Sequence, residues 1–401
     1  MPTSNPISDT LDGYNPHELR ILDAREHVRM RPAMYVGSTG SSGLHHLMFE
    51  IVDNSLDEVL AEHANEIWVT LHTDNSVSVR DNGRGIPIGP LGGAGCSGVE
   101  FAMTRLNAGR DLTDGQYKVG GGLNGVGLAC VNFLSEWNEA VVERDGGAFS
   151  LRCERGLPAG ALMRTGNSDQ HSTKITWLAD REIFGDFEYR SDVFHVHLLN
   201  RCRLVPGLTI HFLDEKHGSS PMTYQSSRGV AELVEERNCD RDVMSSIIHV
   251  EKVRKDRSGS PVRVEIALQF TSSSDADIVS FANLVYTENG GTHHYGFRSG
   301  LAETINQYAR RTRLLNAQAA HIDPDQASAG VTAVVSVLMS RPQYEGATKS
   351  MLGNHEITDL VASITNRAVW DFLTANPDTA QTIIERLLAR TMHRVECGED
   401  E

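Results

Sequence analysis

The chain has 401 residues, of which 40% are hydrophobic and 22% charged, and its formal net charge is −16. This length predicts two domains, and the composition excludes a collagen-like, coiled-coil or wholly disordered chain. An acidic chain repels phosphate backbones, so we expect weak or absent DNA contact by this chain alone. No apolar run reaches the roughly 20 residues of a membrane helix, and the polar segment Met1 to Asp12 is unlike a signal peptide. We therefore expect a cytoplasmic protein without membrane contact.

The first half of the chain alternates helical and strand patterns behind a loose arm, residues 1–20. Apolar residues at helical spacing predict a helix from Leu44 to Ala61. A glycine-rich loop from Ala108 to Gly127 leads into a second helix that starts near Val126. Further patterns predict a helix at 192–202 and strands at 67–71, 77–79, 139–143, 149–153, 173–178 and 208–212.

The turn-rich stretch from Lys216 to Pro221 is where we expect the boundary between the two domains. Beyond it, the patterns predict helices at 228–236, 300–312, 357–373 and 379–394, and strands at 262–270, 279–286 and 331–338. The predicted organisation is an arm (1–20), a first domain (21–222), a second domain (223–394) and an acidic tail (395–401).

Three polar side chains share one face of the first long predicted helix. Glu50, Asn54 and Asp57 are spaced i, i+4 and i+7, opposite the apolar stripe. This spacing fits a solvated polar face. It also fits a site for a metal and a phosphate, in which an amide oxygen completes the Mg²⁺ shell and a carboxylate accepts a proton from an attacking water.

Two glycine-containing loops are candidates for nucleotide contact. The segment from Asp81 to Pro87 follows a strand and has glycines at 83 and 85, so it can bring backbone close to a flat base, although it also fits a surface turn. The segment from Gly120 to Gly127 has five glycines in eight residues and enters a helix. Such a loop can present N–H groups to phosphates, while a flexible linker is the alternative.

Other reactive residue types suggest no site by spacing alone. The pairs His45–His46 and His293–His294 lack partners at metal-ligand spacing, and we interpret them as structural or solvent-facing. Lys349 is a single lysine in a polar loop. The six cysteines form no CxxC pair, which predicts reduced thiols.

The order of these motifs resembles the GHKL ATPase superfamily, to which gyrase, Hsp90, MutL and histidine kinases belong. It is most similar to the N-terminal half of the gyrase B and topoisomerase IV ATPase subunits. The matching phrases are residues 31–37, 43–58, 81–87, 117–119, 121–127 and 290–293. The resemblance implies an α+β fold in which a GHKL (Bergerat) ATPase α/β sandwich precedes a ribosomal-S5-like transducer domain with a left-handed βαβ crossover.

The resemblance also implies ATP and Mg²⁺ as ligands and assigns roles to matching residues. Glu50 would be the general base, Asn54 the Mg²⁺ ligand, and Asp81 with Thr173 the pair that reads adenine. Lys349 would contact the γ-phosphate from the transducer domain. The other implied contacts are Glu58 paired with Arg84, Arg144 at the outer rim where aminocoumarins bind in the family, Tyr14 in an arm that reaches the partner subunit's nucleotide, and Asp57, Gly85, Ile86, Pro87, Tyr117, Gly121, Gly122, Leu123, Asn124, Gly125, Val126 and Gly127.

Several positions depart from the family pattern near the phosphates and in the transducer domain. Asp111 stands where the family has a lysine, Asn124 replaces a lid histidine, and Ala347 replaces the glutamine of Gln-Thr-Lys. The family's Gly-Thr is here Ser172–Thr173, and the family's Asp-x-Arg-Glu-Gly-Leu segment is altered over residues 325–331. A metal-binding Toprim domain is absent from the 401 residues. We therefore expect either a fragment of a longer subunit or a diverged stand-alone paralogue, and the clustered departures favour the paralogue.

The expected function is ATP binding and hydrolysis of the type II DNA topoisomerase kind, with a homodimer forming when ATP binds and a gyrase A-like subunit as a possible partner. One alternative is a paralogue that transfers phosphate from ATP to a small molecule or acts in a biosynthetic or resistance role. A second alternative is a regulatory module that binds nucleotide without turnover.

Overall fold

The computed structural model describes residues 22–91, 95–108, 125–315, 321–345 and 349–397. The helices among them are Ala24–Met30 (α1), Ala33–Val36 (α2), Ser41–Leu60 (α3), Gly98–Thr104 (α4), Gly127–Phe133 (α5), Arg181–Phe184 (α6), Ser191–Leu204 (α7), Val230–Arg237 (α8), Thr292–Arg311 (α9), Pro324–Ser328 (α10), His355–Ala375 (α11) and Pro377–Cys397 (α12). No described helix is long and apolar enough to span a bilayer.

The strands form two large sheets and one short pair. They are Glu66–Leu71 (β1), Val77–Asp81 (β2), Ser135–Arg144 (β3), Gly147–Glu154 (β4), Leu157–Pro158 (β5), Met163–Gly166 (β6), Ser172–Ala179 (β7), Thr209–Asp214 (β8), Met222–Tyr224 (β9), Ile248–Lys255 (β10), Pro261–Phe270 (β11), Asp277–Ala282 (β12), Val285–Tyr286 (β13), Val331–Met339 (β14), Tyr344–Glu345 (β15) and Met351–Leu352 (β16).

The first sheet has the order β5-β4-β3-β7-β2-β1-β8-β9, with β6 on β4. It is antiparallel except for the parallel pair β1 and β8. The apolar stripe of α3, including Leu47, Ile51 and Leu56, is buried in the same core as Trp177 of β7 and Phe212 of β8. Because the stripe faces this core, the polar residues of α3, among them Glu50 and Asn54, lie on the other side of the helix.

The second sheet has the order β10-β11-β14-β12-β13, and β12 and β14 are parallel, with α9 in the connection between them. Every residue of β14 is buried. Val335 and Val337 belong to the second core with α9 and α11, whereas Val334 and Leu338 belong to the core of the first domain. Since neighbouring residues of a strand point to opposite faces, β14 packs against both domains.

The α+β class and the mixed sheet under helices are as expected, and several local predictions were wrong. The single strand expected at 279–286 is a hairpin, because Asn283 and Leu284 adopt positive φ angles of 45° and 66° and reverse the chain. Helix α9 begins at Thr292, eight residues before its predicted start. The edge strand β10 was missed because most of its residues are exposed and half of them are charged. Strand β9 extends the first sheet to Tyr224. The domain division near residue 222 stays a prediction, and so does the left-handed crossover.

Candidate functional site

The polar face of α3 points toward the start of α5. Glu50 Oε1 lies 3.0 Å from Nε2 of His46, one turn earlier on the same helix. A β-carbon added to Gly127 would lie 2.1 Å from Glu50 Oε2, so the carboxylate occupies the space that a side chain would need. This approach explains a glycine at the first residue of α5. His46, which we interpreted as structural or solvent-facing, is partly exposed and contacts Glu50.

Asp81 is a buried carboxylate at the end of β2. It is 4% exposed and pairs in register with Thr173 of β7. Its oxygens accept hydrogen bonds from Ser55 Oγ and from the Gly83 amide, both at 2.9 Å. Burial nevertheless raises the pKa of Asp81 to about 6, and the charge of Glu58 adds to the rise. The site thus holds a buried acceptor that is mostly ionised at neutral pH and accepts hydrogen bonds from Ser55, Gly83 and the Thr173 backbone.

The loop after Asp81 is fixed by an ion pair with α3. Arg84 Nη2 lies 2.8 Å from Glu58 Oε1, and both Arg84 Nε and the Arg84 amide donate to Oε2 at 3.0 Å. Arginine and carboxylate form such two-pronged pairs with defined geometry. The pair therefore holds the backbone of this loop against the helix that carries Glu50.

The same loop also rests on the ends of β3 and β7. The Ile86 amide donates to Thr173 Oγ1 at 3.2 Å, and Arg144 Nη1 donates to the Gly85 carbonyl at 2.7 Å. Gly85 has a φ of +74°, and a β-carbon there would lie 2.9 Å from the Glu143 carbonyl oxygen. Only glycine fits this conformation and this contact. Thr173 and Arg144 thus lie against the Asp81 loop, and their roles in binding stay predictions.

Lys349 approaches the site from the second domain. It has a φ of +56°, and the next residue is held by the Asn289 amide, which donates to the Ser350 carbonyl at 2.9 Å. Burial raises the pKa of Asp53 on α3, and the charges of Arg201 and Lys349 oppose that rise. The Lys349 charge therefore acts on α3, one residue away from Asn54.

The comparisons with known proteins match both halves of the chain. The family described as histidine kinase-, DNA gyrase B- and HSP90-like ATPase matches residues 39–176, and the DNA gyrase B family matches residues 229–398. The 43K ATPase domain of Thermus thermophilus gyrase B, solved in complex with an aminocoumarin, is 32% identical with a TM-score of 0.78, and the match covers 94% of this chain and 96% of that one. The chain belongs to the DNA gyrase B family.

Other members of the gyrase B family and their relatives agree. The gyrase B subunit of Thermotoga maritima is 40% identical over 387 residues, which are 96% of this chain and 60% of that protein. The topoisomerase IV ATP-binding domain of Francisella tularensis is 28% identical with a TM-score of 0.76, over 92% of this chain and 97% of that one. The chain thus spans about 60% of the length of the curated relative. The part that matches the ATPase family, residues 39–176, has the GHKL fold.

Several predicted contact positions lie outside the described residues. They are Tyr14, Tyr117, Gly121, Gly122, Leu123 and Asn124, together with the departures Asp111 and Ala347. Among the described positions, Gly125 has a φ of +58°, Val126 precedes α5, Asp57 lies on α3, and Pro87 follows the Asp81 loop. Within the described ranges, no three His, Cys, Asp or Glu side chains are grouped to hold a metal.

A cavity of about 650 Å³ lies away from these residues. It is lined by Pro206, by Arg228 and others just before α8, and by residues of α8, β10 and β11 such as His249 and Glu265. None of the predicted site residues lines it, and the gyrase B motifs point instead to the face of α3.

Three residues that shape the site were not predicted from the sequence. His46 contacts Glu50, and its i, i+4 spacing was the available signal. Ser55 donates to Asp81, a long-range contact that no local pattern indicates. Arg201 lies 2.9 Å from Asp53 and could be found only from the packing of α7 on α3.

Proposed function

We propose that this chain binds ATP with Mg²⁺ and hydrolyses it, as the ATPase region of a type II topoisomerase subunit. The observation that carries the proposal is the shared frame of Glu50 and Asp81. Both are fixed through α3, Glu50 directly and Asp81 through Ser55. One end of a nucleotide can therefore be read while the other end meets a carboxylate.

At the adenine end, the Asp81 carboxylate accepts a hydrogen bond from the exocyclic amine. Thr173 Oγ1 lies 3.2 Å from the Ile86 amide and orders the same wall of the pocket. A buried acceptor left without its partner costs about 1–3 kcal/mol, which favours bases that carry the amine.

At the phosphate end, Glu50 accepts a proton from water as the water oxygen attacks the γ-phosphorus. The bond from this phosphorus to the bridging oxygen breaks, and ADP leaves. His46 holds the carboxylate from one side and Gly127 leaves room for it on the other. Lys349 supplies positive charge to the transferring phosphoryl group from the second domain.

Asn54 and the phosphate oxygens form a donor set that suits Mg²⁺. Asn54 is half-buried one turn beyond Glu50, and its amide oxygen is the type of ligand that Mg²⁺ prefers beside water and phosphate. The bound ion would neutralise phosphate charge. We further propose that ATP promotes homodimerisation, that a gyrase A-like subunit is a partner, and that the protein acts in the cytoplasm. No observation favours a small-molecule phosphate acceptor in place of water.

The test is phosphate release from ATP, with and without Mg²⁺, by the chain and by Glu50→Ala. We expect Mg²⁺-dependent release that falls about 10²–10⁴-fold in the variant, while ATP still binds. Release that is unaffected by the substitution would contradict Glu50 as the base. Absence of ATP binding by the unsubstituted chain would contradict the proposed function itself.

A further inference from the structure

One arginine joins the helix that carries Glu50 to the second domain. Arg201 on α7 has a side chain that is 11% exposed, and its Nη2 lies 2.9 Å from Asp53 Oδ1. Its Nη1 donates to the carbonyl oxygen of Leu284. A planar guanidinium that donates to two acceptors fixes their relative position more firmly than the flexible ammonium of a lysine would.

The two partners of Arg201 lie in different domains. Asp53 lies on α3 between Glu50 and Asn54. Leu284 forms the turn of the β12–β13 hairpin in the second domain, and its side chain is buried in the core of the first domain. Arg201 therefore fixes the turn of this hairpin to α3.

The hairpin leads directly to Lys349. Five residues after Leu284, the Asn289 amide donates to the Ser350 carbonyl at 2.9 Å, and Nδ2 of Asn289 donates to Ser350 Oγ at 3.2 Å. The Leu352 amide donates to the Gly290 carbonyl at 3.2 Å. The backbone that follows Lys349 is thus held by the strand that leaves the Leu284 turn.

His197 on α7 lies near Arg201 and adds no positive charge beside it. His197 stacks on Phe49 of α3 with ring centroids 3.7 Å apart. Burial and the nearby Arg201 hold the pKa of His197 well below its usual range, so the ring is neutral. Asp53 thus contacts Arg201 directly and also lies in the fields of Lys349 from the second domain and of His46 on its own helix.

We propose that Arg201 is a positioning residue that sets Lys349 relative to Glu50 by holding the Leu284 turn against Asp53. This inference rests on the proposed function, because Lys349 acts only on the terminal phosphate of a bound triphosphate. Arg201 then contributes to the recognition of the third phosphate without contacting it.

The test is the binding of two nucleotides, ADP and the non-hydrolysable β,γ-imido analogue of ATP, to the full chain with Mg²⁺. In Arg201→Met we expect the analogue to bind about tenfold more weakly and ADP to bind within twofold of the unsubstituted chain. In a Lys349→Ala background, Arg201→Met should weaken the analogue no further, because contacts in one path are not additive. An equal loss for both nucleotides, or additive losses in the double variant, would overturn the proposal.

A matched control is available two residues along the same helix. Arg203 is also 11% exposed and pairs with Glu236 of α8. Arg203→Met should leave the ratio of the two affinities unchanged, and the same loss of discrimination there would count against Arg201. If Arg201→Met fails to fold, Asp53→Asn combined with Arg201→Gln removes both charges and should show the same selective loss. If the unsubstituted chain binds neither nucleotide, the proposed function fails first.

Discussion

The adenine end and the phosphate end of the proposed site are built in different ways. The adenine end comes from one domain, where Asp81, Thr173 and the Arg84 loop are tied to α3 and to the first sheet by bonds of 2.8–3.2 Å. The phosphate end takes Glu50 from α3 and Lys349 from the second domain. The two domains are joined near the phosphate end by contacts such as that of Arg201 with Leu284.

Because the two ends are built differently, nucleotide binding and turnover should respond to different substitutions. A pocket within one rigid frame binds its base whether or not the second domain is well placed. A phosphate end assembled from two domains depends on their relative position, so turnover is more sensitive than binding to small displacements. Substitutions at the two ends should therefore affect different measured quantities.

Among substitutions that keep Glu50, the largest effect is expected from Gly127→Ala. The new β-carbon would lie 2.1 Å from Glu50 Oε2, so the carboxylate must move by about 1 Å, and we expect kcat for ATP hydrolysis to fall about 10²-fold. ADP affinity should stay nearly constant, since the adenine end is untouched. The measurement is steady-state phosphate release with a parallel binding titration. Gly160→Ala is the matched control, because its added β-carbon meets nothing within 4 Å.

The opposite pattern is expected from Asp81→Asn. The amide that replaces the carboxylate is a weaker acceptor for the adenine amine, and we expect the ADP dissociation constant to rise about 10–100-fold. The value of kcat at saturating ATP should change little. Calorimetry with ADP and kinetics at high ATP would separate the two quantities. A variant that loses kcat and keeps its affinity would break the distinction between the two ends.

The pH dependence of binding should report the same carboxylate. Only ionised Asp81 is the strong acceptor, and its pKa is about 6 in the free protein. ADP affinity should therefore be constant at pH 7–8 and fall as the pH drops through about 6. The Asp81→Asn variant should lack this fall. An equal fall in the variant would assign the titration to another group.

A smaller effect is expected from Ser55→Ala. The variant loses the 2.9 Å hydrogen bond to Asp81, which favours the ionised form, so the pKa of Asp81 rises further. At neutral pH, ADP affinity should fall only a few-fold, and the pH at which affinity begins to fall should move upward. Binding titrations across pH 5–8 test both expectations. An onset that stays where it was would show that Ser55 does not support the charge.

The sequence predicted the adenine end better than the phosphate end. Asp81, Gly85 and Thr173 lie in motifs whose order is characteristic, and the antiparallel pairing of β2 with β7 brings them together. Glu50 and Asn54 follow from helical spacing. The contact of His46 with Glu50 fits the same spacing, but a histidine–carboxylate pair on a helix surface is common without function, so spacing alone assigned His46 no role.

Contacts between distant elements could not be predicted. Arg201 and Asp53 are 148 residues apart, and their contact depends on how α7 packs against α3. The β12–β13 turn was read as continuous strand, because its two residues with positive φ are Asn283 and Leu284 rather than glycine. The residues that join the two domains at the phosphate end therefore could not be found from the sequence, although each end of the site had a motif.

Asp81 has a consequence for the robustness of the protein when no nucleotide is bound. Its pKa is about 6 in the folded chain against an ordinary value of 3.8, so between these two values the folded state binds more protons than the unfolded one. Its own contribution to the free energy of unfolding therefore decreases as the pH rises through this window, by up to about 3 kcal/mol. In the empty protein this one carboxyl therefore favours the folded state more in mild acid than at neutral pH, whereas nucleotide binding requires its ionised form.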